Sequence, residues 1–215
     1  MAIKYSCFIS YPHPKQGTEF GKVIDQLEQA LADQLGYNLD EPIYIDKNRL
    51  KPGYAYDEAL AGAICQSACM IVLFTSLYQV RTYCLREFMA MEKLEEARIQ
   101  KLKEKFDKTR RMIIPIVIRR DTDKDLPGKI NKIQYWDLTK IMNRGFNLRN
   151  QECRKVIIDI ANEILKHLCT LKLLEGTSLD DDCDSFKIPS EQEAMQSWSL
   201  EPLPRSSGFP LRGGT

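Results

Sequence analysis

Cys69-Met70-Ile71-Val72-Leu73-Phe74 runs six positions without a polar residue. A strand with one wet face alternates apolar and polar side chains, so this run predicts a strand covered on both faces, as inside a parallel sheet. Met112–Ile118 (MIIPIVI) repeats the pattern, with Pro115 expected to weaken its centre or mark a bulge. Lys4–Tyr11 (KYSCFISY), stopped by Pro12, reads as a first strand rich in aromatic and β-branched residues; Ile43–Ile45 and Gln134–Leu138 add two short ones. Helical spacing fills the gaps. Phe20, Val23, Ile24, Leu27, Leu31 and Leu35 form one stripe ended by Gly36, Ala55–Ser67 forms another helix, and Val156, Ile157, Ile160, Ile164, Leu168 and Leu171 line a last one. The helix expected over Tyr83–Lys108 carries Phe88, Met91 and Leu94 early, and its Lys/Glu-laced later half reads as solvated surface. Strands alternating with helices predict right-handed βαβ units, a five-stranded parallel α/β sheet with helices on both faces, and chemistry at the strands' carboxyl ends.

Composition bounds the function. With 43% hydrophobic and 28% charged residues, the 215-residue chain can bury a full core. Thirty-one basic against thirty acidic groups leave a net charge of +1, which argues against nucleic acid as a direct partner. No apolar run reaches membrane-spanning length, and the N-terminus enters a strand pattern without a leader, so a cytoplasmic protein is expected. The seven cysteines lack a framework spacing and read as reduced thiols. Residues 176–215 carry seven acidic and three basic groups with seven Ser, four Pro and four Gly. They read as a disordered acidic tail behind a domain spanning residues 1–175. In that tail the acidic cluster reads as solvation, while Pro202-Leu203-Pro204 and Leu211-Arg212-Gly213-Gly214 are candidate partner peptides through which a tail would regulate or recruit.

Several chemistries lack their residues. Neither G-x-G-x-x-G nor a P-loop occurs, and two His without C-x-x-C predict no metal. Cys84 and His13 both follow strand ends, where a thiol and an imidazole make a nucleophilic pair; a small buried hydrophobe and a loop residue are the plainer readings.

Three segments fall at the expected carboxyl edge: Phe8-Ile9-Ser10-Tyr11, the loop Asp46–Tyr56 with Arg49-Leu50-Lys51-Pro52-Gly53, and Tyr83-Cys84-Leu85-Arg86-Glu87-Phe88. Together they resemble the Toll/interleukin-1 receptor (TIR) domain family over residues 4–170. FISY matches its first-strand motif, RLKPG its mobile loop, and YCLREF its W-C-x-x-E-[LF] helix start, with Tyr83 replacing Trp and retaining an aromatic wall. FISY running into a His-containing loop, and Leu126–Leu138 (LPGKINKIQYWDL), look like stand-alone bacterial members.

That resemblance implies a flavodoxin-like fold and, in many members, cleavage of NAD+ at the nicotinamide–ribose bond. The motif's glutamate, here Glu87, is the implied catalytic residue, and no cofactor is implied because NAD+ is the substrate. Loss of neutral nicotinamide leaves an oxocarbenium-like sugar, which one nearby carboxylate can stabilise without a general acid. By family position Ser10, Tyr11, Asp46, Arg49, Arg81 and Tyr83 are the implied substrate-binding residues, while Lys47, Pro52 and Gly53 belong to a loop that controls assembly with other TIR subunits. The resemblance further implies antiphage defence of the Thoeris kind, either by depleting NAD+ or by making a cyclic ADP-ribose-type signal for a downstream effector. From the residues alone, Glu87 reads equally as a first-turn glutamate opposing the helix dipole, Arg86 as a solvated charge and Asp46 as an Asx-turn residue. The alternatives to the NAD+-cleaving enzyme are a non-catalytic TIR–TIR scaffold and a nucleoside deoxyribosyltransferase-like enzyme.

Overall fold

The computed structural model describes residues 3–15, 17–37, 39–46, 56–102, 110–119, 126–174 and 182–199. Its centre is a parallel sheet of β1 (Phe8–Ser10), β2 (Tyr44–Ile45), β3 (Met70–Phe74), β4 (Ile113–Val117) and β5 (Trp136–Asp137), ordered β2-β1-β3-β4-β5. This is the flavodoxin-like order, whose switch between β1 and β3 opens a crevice at the carboxyl edge. Side chains of β3 alternate between two cores. Met70, Val72 and Phe74 pack with α2 (Tyr56–Cys65) and α3 (Thr82–Leu102); Ile71 and Leu73 pack with α1 (Glu19–Gly36) and α6 (Gln151–Leu174). None of the five is more than 2% exposed, and each such side chain contributes about 1.5–3 kcal/mol on leaving water. The short helices α4 (Gly128–Asn131) and α5 (Thr139–Asn143) flank β5, and α7 (Glu191–Ser199) follows α6.

Four expectations are corrected. Pro115 neither weakens nor bulges β4: its register with β3 runs unbroken from Met70↔Ile113 to Phe74↔Val117. Met112 O and Ile118 N bond toward β3, whereas Val117 O bonds toward β5. By that alternation the missing Pro115 donor faces the β5 side, one residue before pairing with β5 begins at Ile116↔Trp136.

The later half of α3 is not all solvated. Glu95 is 1% and Arg98 0% exposed. Arg98 donates from Nη1 to Ser67 O (2.9 Å) and from Nη2 to Cys65 O (2.7 Å), closing carbonyls left open where α2 ends. Glu95 accepts from Met112 N (2.5 Å) and from Arg111 Nη2 (2.6 Å) at the entry to β4.

Nor is the whole C-terminal stretch a tail. Residues 182–199 pack against the domain: Cys183 and Ala194 are buried, Phe186, Ile188 and Trp198 lie on the core, and α7 sits against α3. Ser190 and Glu193 close a reciprocal cap, with Ser190 N donating to Glu193 Oε2 (2.8 Å) and Glu193 N to Ser190 Oγ (3.2 Å). Residues 176–181 and 200–215 lie outside the described residues. The cysteines are not all thiols either, since Cys65 and Cys183 form a disulfide across 118 positions. Cys7, Cys69, Cys84 and Cys153 are buried thiols outside any disulfide, and Cys169 is an exposed one.

His167 of α6, 1% exposed, has an Nδ1 without a hydrogen-bond partner. Burial first, then Arg110, lowers its pKa from 6.5 to about 4; Glu163 opposes this, while Lys166 and Arg98 add to it. The unfolded chain therefore takes up a proton below pH 6.5 that the native state refuses, and stability falls as pH drops from 6.5 toward 4. The loss should reach up to about 3 kcal/mol. Urea titrations at stepped pH should show it in the parent and not in His167→Gln; equal pH dependence in both would assign it to other groups.

Candidate functional site

β1 delivers two consecutive side chains to the carboxyl edge on opposite faces. Ser10, 1% exposed, faces α3, whereas Tyr11 joins the core beneath α1. Across the edge β3 ends at Phe74, a 3-10 turn covers Tyr78–Val80, and α3 begins at Thr82. Glu87 is therefore the sixth residue of α3, in its second turn. It is 2% exposed and lies beyond the first turn, so the reading of a first-turn glutamate opposing the helix dipole does not hold. Its carboxylate points into the domain, where Ser10 Oγ donates to Oε2 at 2.6 Å.

A third residue, without a sequence motif, completes the arrangement. Tyr78 Oη lies 2.7 Å from Ser10 Oγ and 3.2 Å from Cys84 O. Each hydroxyl carries one hydrogen, so with Ser10 donating to Glu87, the Tyr78 hydrogen is shared between Ser10 Oγ and Cys84 O. The Tyr78 phenol stays protonated: burial, and then the electrostatic influence of Cys84 and Glu87, raise its pKa well above the ordinary value. The result is a one-way relay, Tyr78 to Ser10 to Glu87, that aims donors at one carboxylate oxygen in a low-dielectric site.

An aromatic group stands beside it. His13 stacks on Tyr11 (centroids 4.6 Å) and meets Tyr83 edge-on (5.3 Å), while its backbone N–H donates to Tyr83 Oη at 2.7 Å. Next to Tyr11 and His13 a groove of about 290 Å³ runs along the start of α1, lined also by Pro14, Gly21 and Lys22. Thr75, just past β3, holds a buried Oγ1 without a hydrogen-bond partner, a further hydroxyl at this edge. Asp46, after β2, is 8% exposed and accepts from Tyr56 Oη at 3.2 Å. Tyr44 stacks on Phe8, and burial together with Asp46, Tyr5 and Glu87 raises its pKa to about 12.

The proposed residues thus divide. Ser10 and Glu87 meet directly, Tyr11 and Tyr83 meet through His13, and Asp46 stands at the same edge. Arg81 is exposed at the end of the 3-10 turn. Arg86 is tied down rather than solvated, by Asp57 Oδ2 (2.6 Å) and Pro189 O (2.7 Å). Lys47, Arg49, Pro52 and Gly53 lie outside the described residues. Cys84, in the first turn of α3, is buried in the core, as a small hydrophobe would be. No group of three His, Cys, Asp or Glu among the described residues could hold a metal, and no described helix is long and apolar enough to cross a membrane.

The family profile of the TIR domain matches residues 7–150, two thirds of the chain and all of this site. The chain belongs to the TIR domain family. No curated protein matches it. Nineteen chains of known structure do. One is the TIR domains in the structure of the activated Roq1 resistosome directly recognizing the pathogen effector XopQ. It is 20% identical over 90% of this chain and 96% of that one, with a TM-score of 0.38.

Proposed function

We propose that this TIR domain cleaves NAD+ between nicotinamide and ribose, with Glu87 as the catalytic residue. The supporting observation is the buried carboxylate at the sheet's carboxyl edge, held by the Ser10 hydroxyl at 2.6 Å. As nicotinamide departs, positive charge develops on the ribose, and a carboxylate shielded from water stabilises it more strongly than an exposed one. In this reading Ser10 fixes the carboxylate and yields part of it to a ribose hydroxyl. Tyr11, His13 and Tyr83 supply the flat surface for a base, and by family position Arg49 and Arg81 are the cations for the pyrophosphate. The unpartnered Thr75 hydroxyl is a further contact for substrate. Asp46 shapes the mouth through Tyr56.

Assembly belongs to the proposal. Lys47, Pro52 and Gly53 lie in the loop that would close a neighbouring subunit's site, so NAD+, other TIR subunits and a downstream effector are the partners, and bacterial antiphage signalling is the setting. Purified full-length protein titrated upward in concentration with NAD+ should release nicotinamide with rising specific activity. Constant specific activity from a confirmed monomer would remove the assembly step. The 2% exposure of Glu87 favours one other reading, a TIR–TIR scaffold without catalysis. No nicotinamide from the parent protein at any concentration would establish that reading.

A further inference from the structure

The segment Asp182–Ser199 grips the helix that carries Glu87 at several points. At one end Cys183 is bonded to Cys65, the last residue of α2. Midway, Pro189 O accepts from Arg86 Nε at 2.7 Å, and the other arm of the same guanidinium holds Asp57 of α2 at 2.6 Å. Lys93 pairs with Glu193 at 3.4 Å. At the far end Trp198 meets the Phe88 ring edge-on (5.2 Å, 74°) and lies 6.2 Å from the Tyr78 ring. Arg86 and Phe88 flank Glu87 in the chain, and Tyr78 is the donor behind Ser10 in the relay. The segment therefore bears on both neighbours of the carboxylate and on the phenol that orders its hydroxyl.

The Trp198 seat is imperfect. Its indole Nε1 is buried without a hydrogen-bond partner, which offsets part of the gain from packing the ring. The disulfide tethers the segment at high effective concentration beside the Arg86–Pro189 and Lys93–Glu193 contacts and the buried Ala194.

We propose that residues 182–199 are a clamp that positions Glu87 through Arg86, Phe88 and Tyr78, and that the Cys65–Cys183 bond is its latch, opened by a dithiol. The latch chemistry balances. One thiolate of the dithiol attacks Sγ of Cys183, the more exposed residue of the pair at 7% against 2%, and expels the Cys65 thiolate, which takes up a proton. The second thiol resolves the mixed disulfide, leaving two protein thiols and an oxidised reductant. Trp198 and Tyr78 are then positioning residues. The clamp's effect on turnover rests on the reading of Glu87 as catalytic; its effect on local structure does not.

The experiment uses the full chain oxidised, reduced with dithiothreitol and reoxidised, together with Trp198→Ala, Trp198→Phe and Cys183→Ser. Amide exchange over residues 78–90 should quicken about tenfold in the reduced chain, in Cys183→Ser and in Trp198→Ala. It should return on reoxidation and in Trp198→Phe, with residues 113–117 unchanged throughout. In the same samples kcat for nicotinamide release should fall about tenfold with KM within twofold, as for loss of alignment rather than of binding. Unchanged protection over 78–90 after reduction and in Trp198→Ala would overturn the clamp. Lost protection with unchanged kcat would overturn its positioning role. Absence of turnover in the oxidised parent would remove the catalytic reading of Glu87 and leave the exchange data to decide the clamp.

Discussion

Glu87→Ala will lower nicotinamide release from NAD+ by at least about 100-fold while leaving the domain folded. The magnitude follows from what the carboxylate supplies. Substrate that still binds through its adenine, pyrophosphate and ribose loses only the charge that opposes the developing sugar cation, so kcat should fall far more than KM rises. Glu87→Gln sharpens the test, because the amide oxygen can still accept from Ser10 Oγ while carrying no charge. A Gln variant as inactive as Ala assigns the effect to charge, and one retaining turnover would move the chemistry to another residue. Ser10→Ala and Tyr78→Phe should cost less, roughly tenfold, since each removes a donor that aims the carboxylate and neither removes the carboxylate. A buried carboxylate held by the Ser10 hydroxyl is costly to desolvate and is not placed for stability. Thermal unfolding of Glu87→Gln should therefore match or exceed the parent, a stability–activity trade-off that a purely structural glutamate would not show.

The fold was legible wherever burial on both faces erased alternation. Cys69–Phe74 and Met112–Ile118 announced inner parallel strands because nothing polar can point to either side of such a strand, and β3 and β4 lie there. The family motifs brought Ser10 and Glu87 together, and they meet. Tyr78 was invisible for a physical reason: it sits in a 3-10 turn of three residues, too short for any periodicity, and its role comes from a partner 68 positions away. The later half of α3 misled because charge pattern reports a residue's type and not what lies beneath it. The Cys65–Cys183 pairing carries no local trace across 118 positions. One signal was present and submerged, the Ser190-x-x-Glu193 capping box inside a Ser-rich acidic stretch whose composition alone resembled a tail.

Arg98→Met should cost about 2–4 kcal/mol of stability, large for a residue remote from the relay. Arg98 is wholly buried, and methionine restores much of its volume, so the loss measures hydrogen bonding rather than a cavity. What is left behind is two carbonyls, Cys65 O and Ser67 O, stranded between the end of α2 and the start of β3 where water does not reach. Arg98→Lys separates charge from geometry. A single ammonium retains the positive charge but cannot reach the two acceptors with the planar fork that spans them at 2.9 and 2.7 Å, so it should recover only part of the loss. Urea midpoints at constant slope would rank parent above Lys above Met. A Met variant as stable as the parent would mean that the two carbonyls find other donors and that Arg98 is dispensable to the junction. A Lys variant equal to the parent would mean that charge alone holds it.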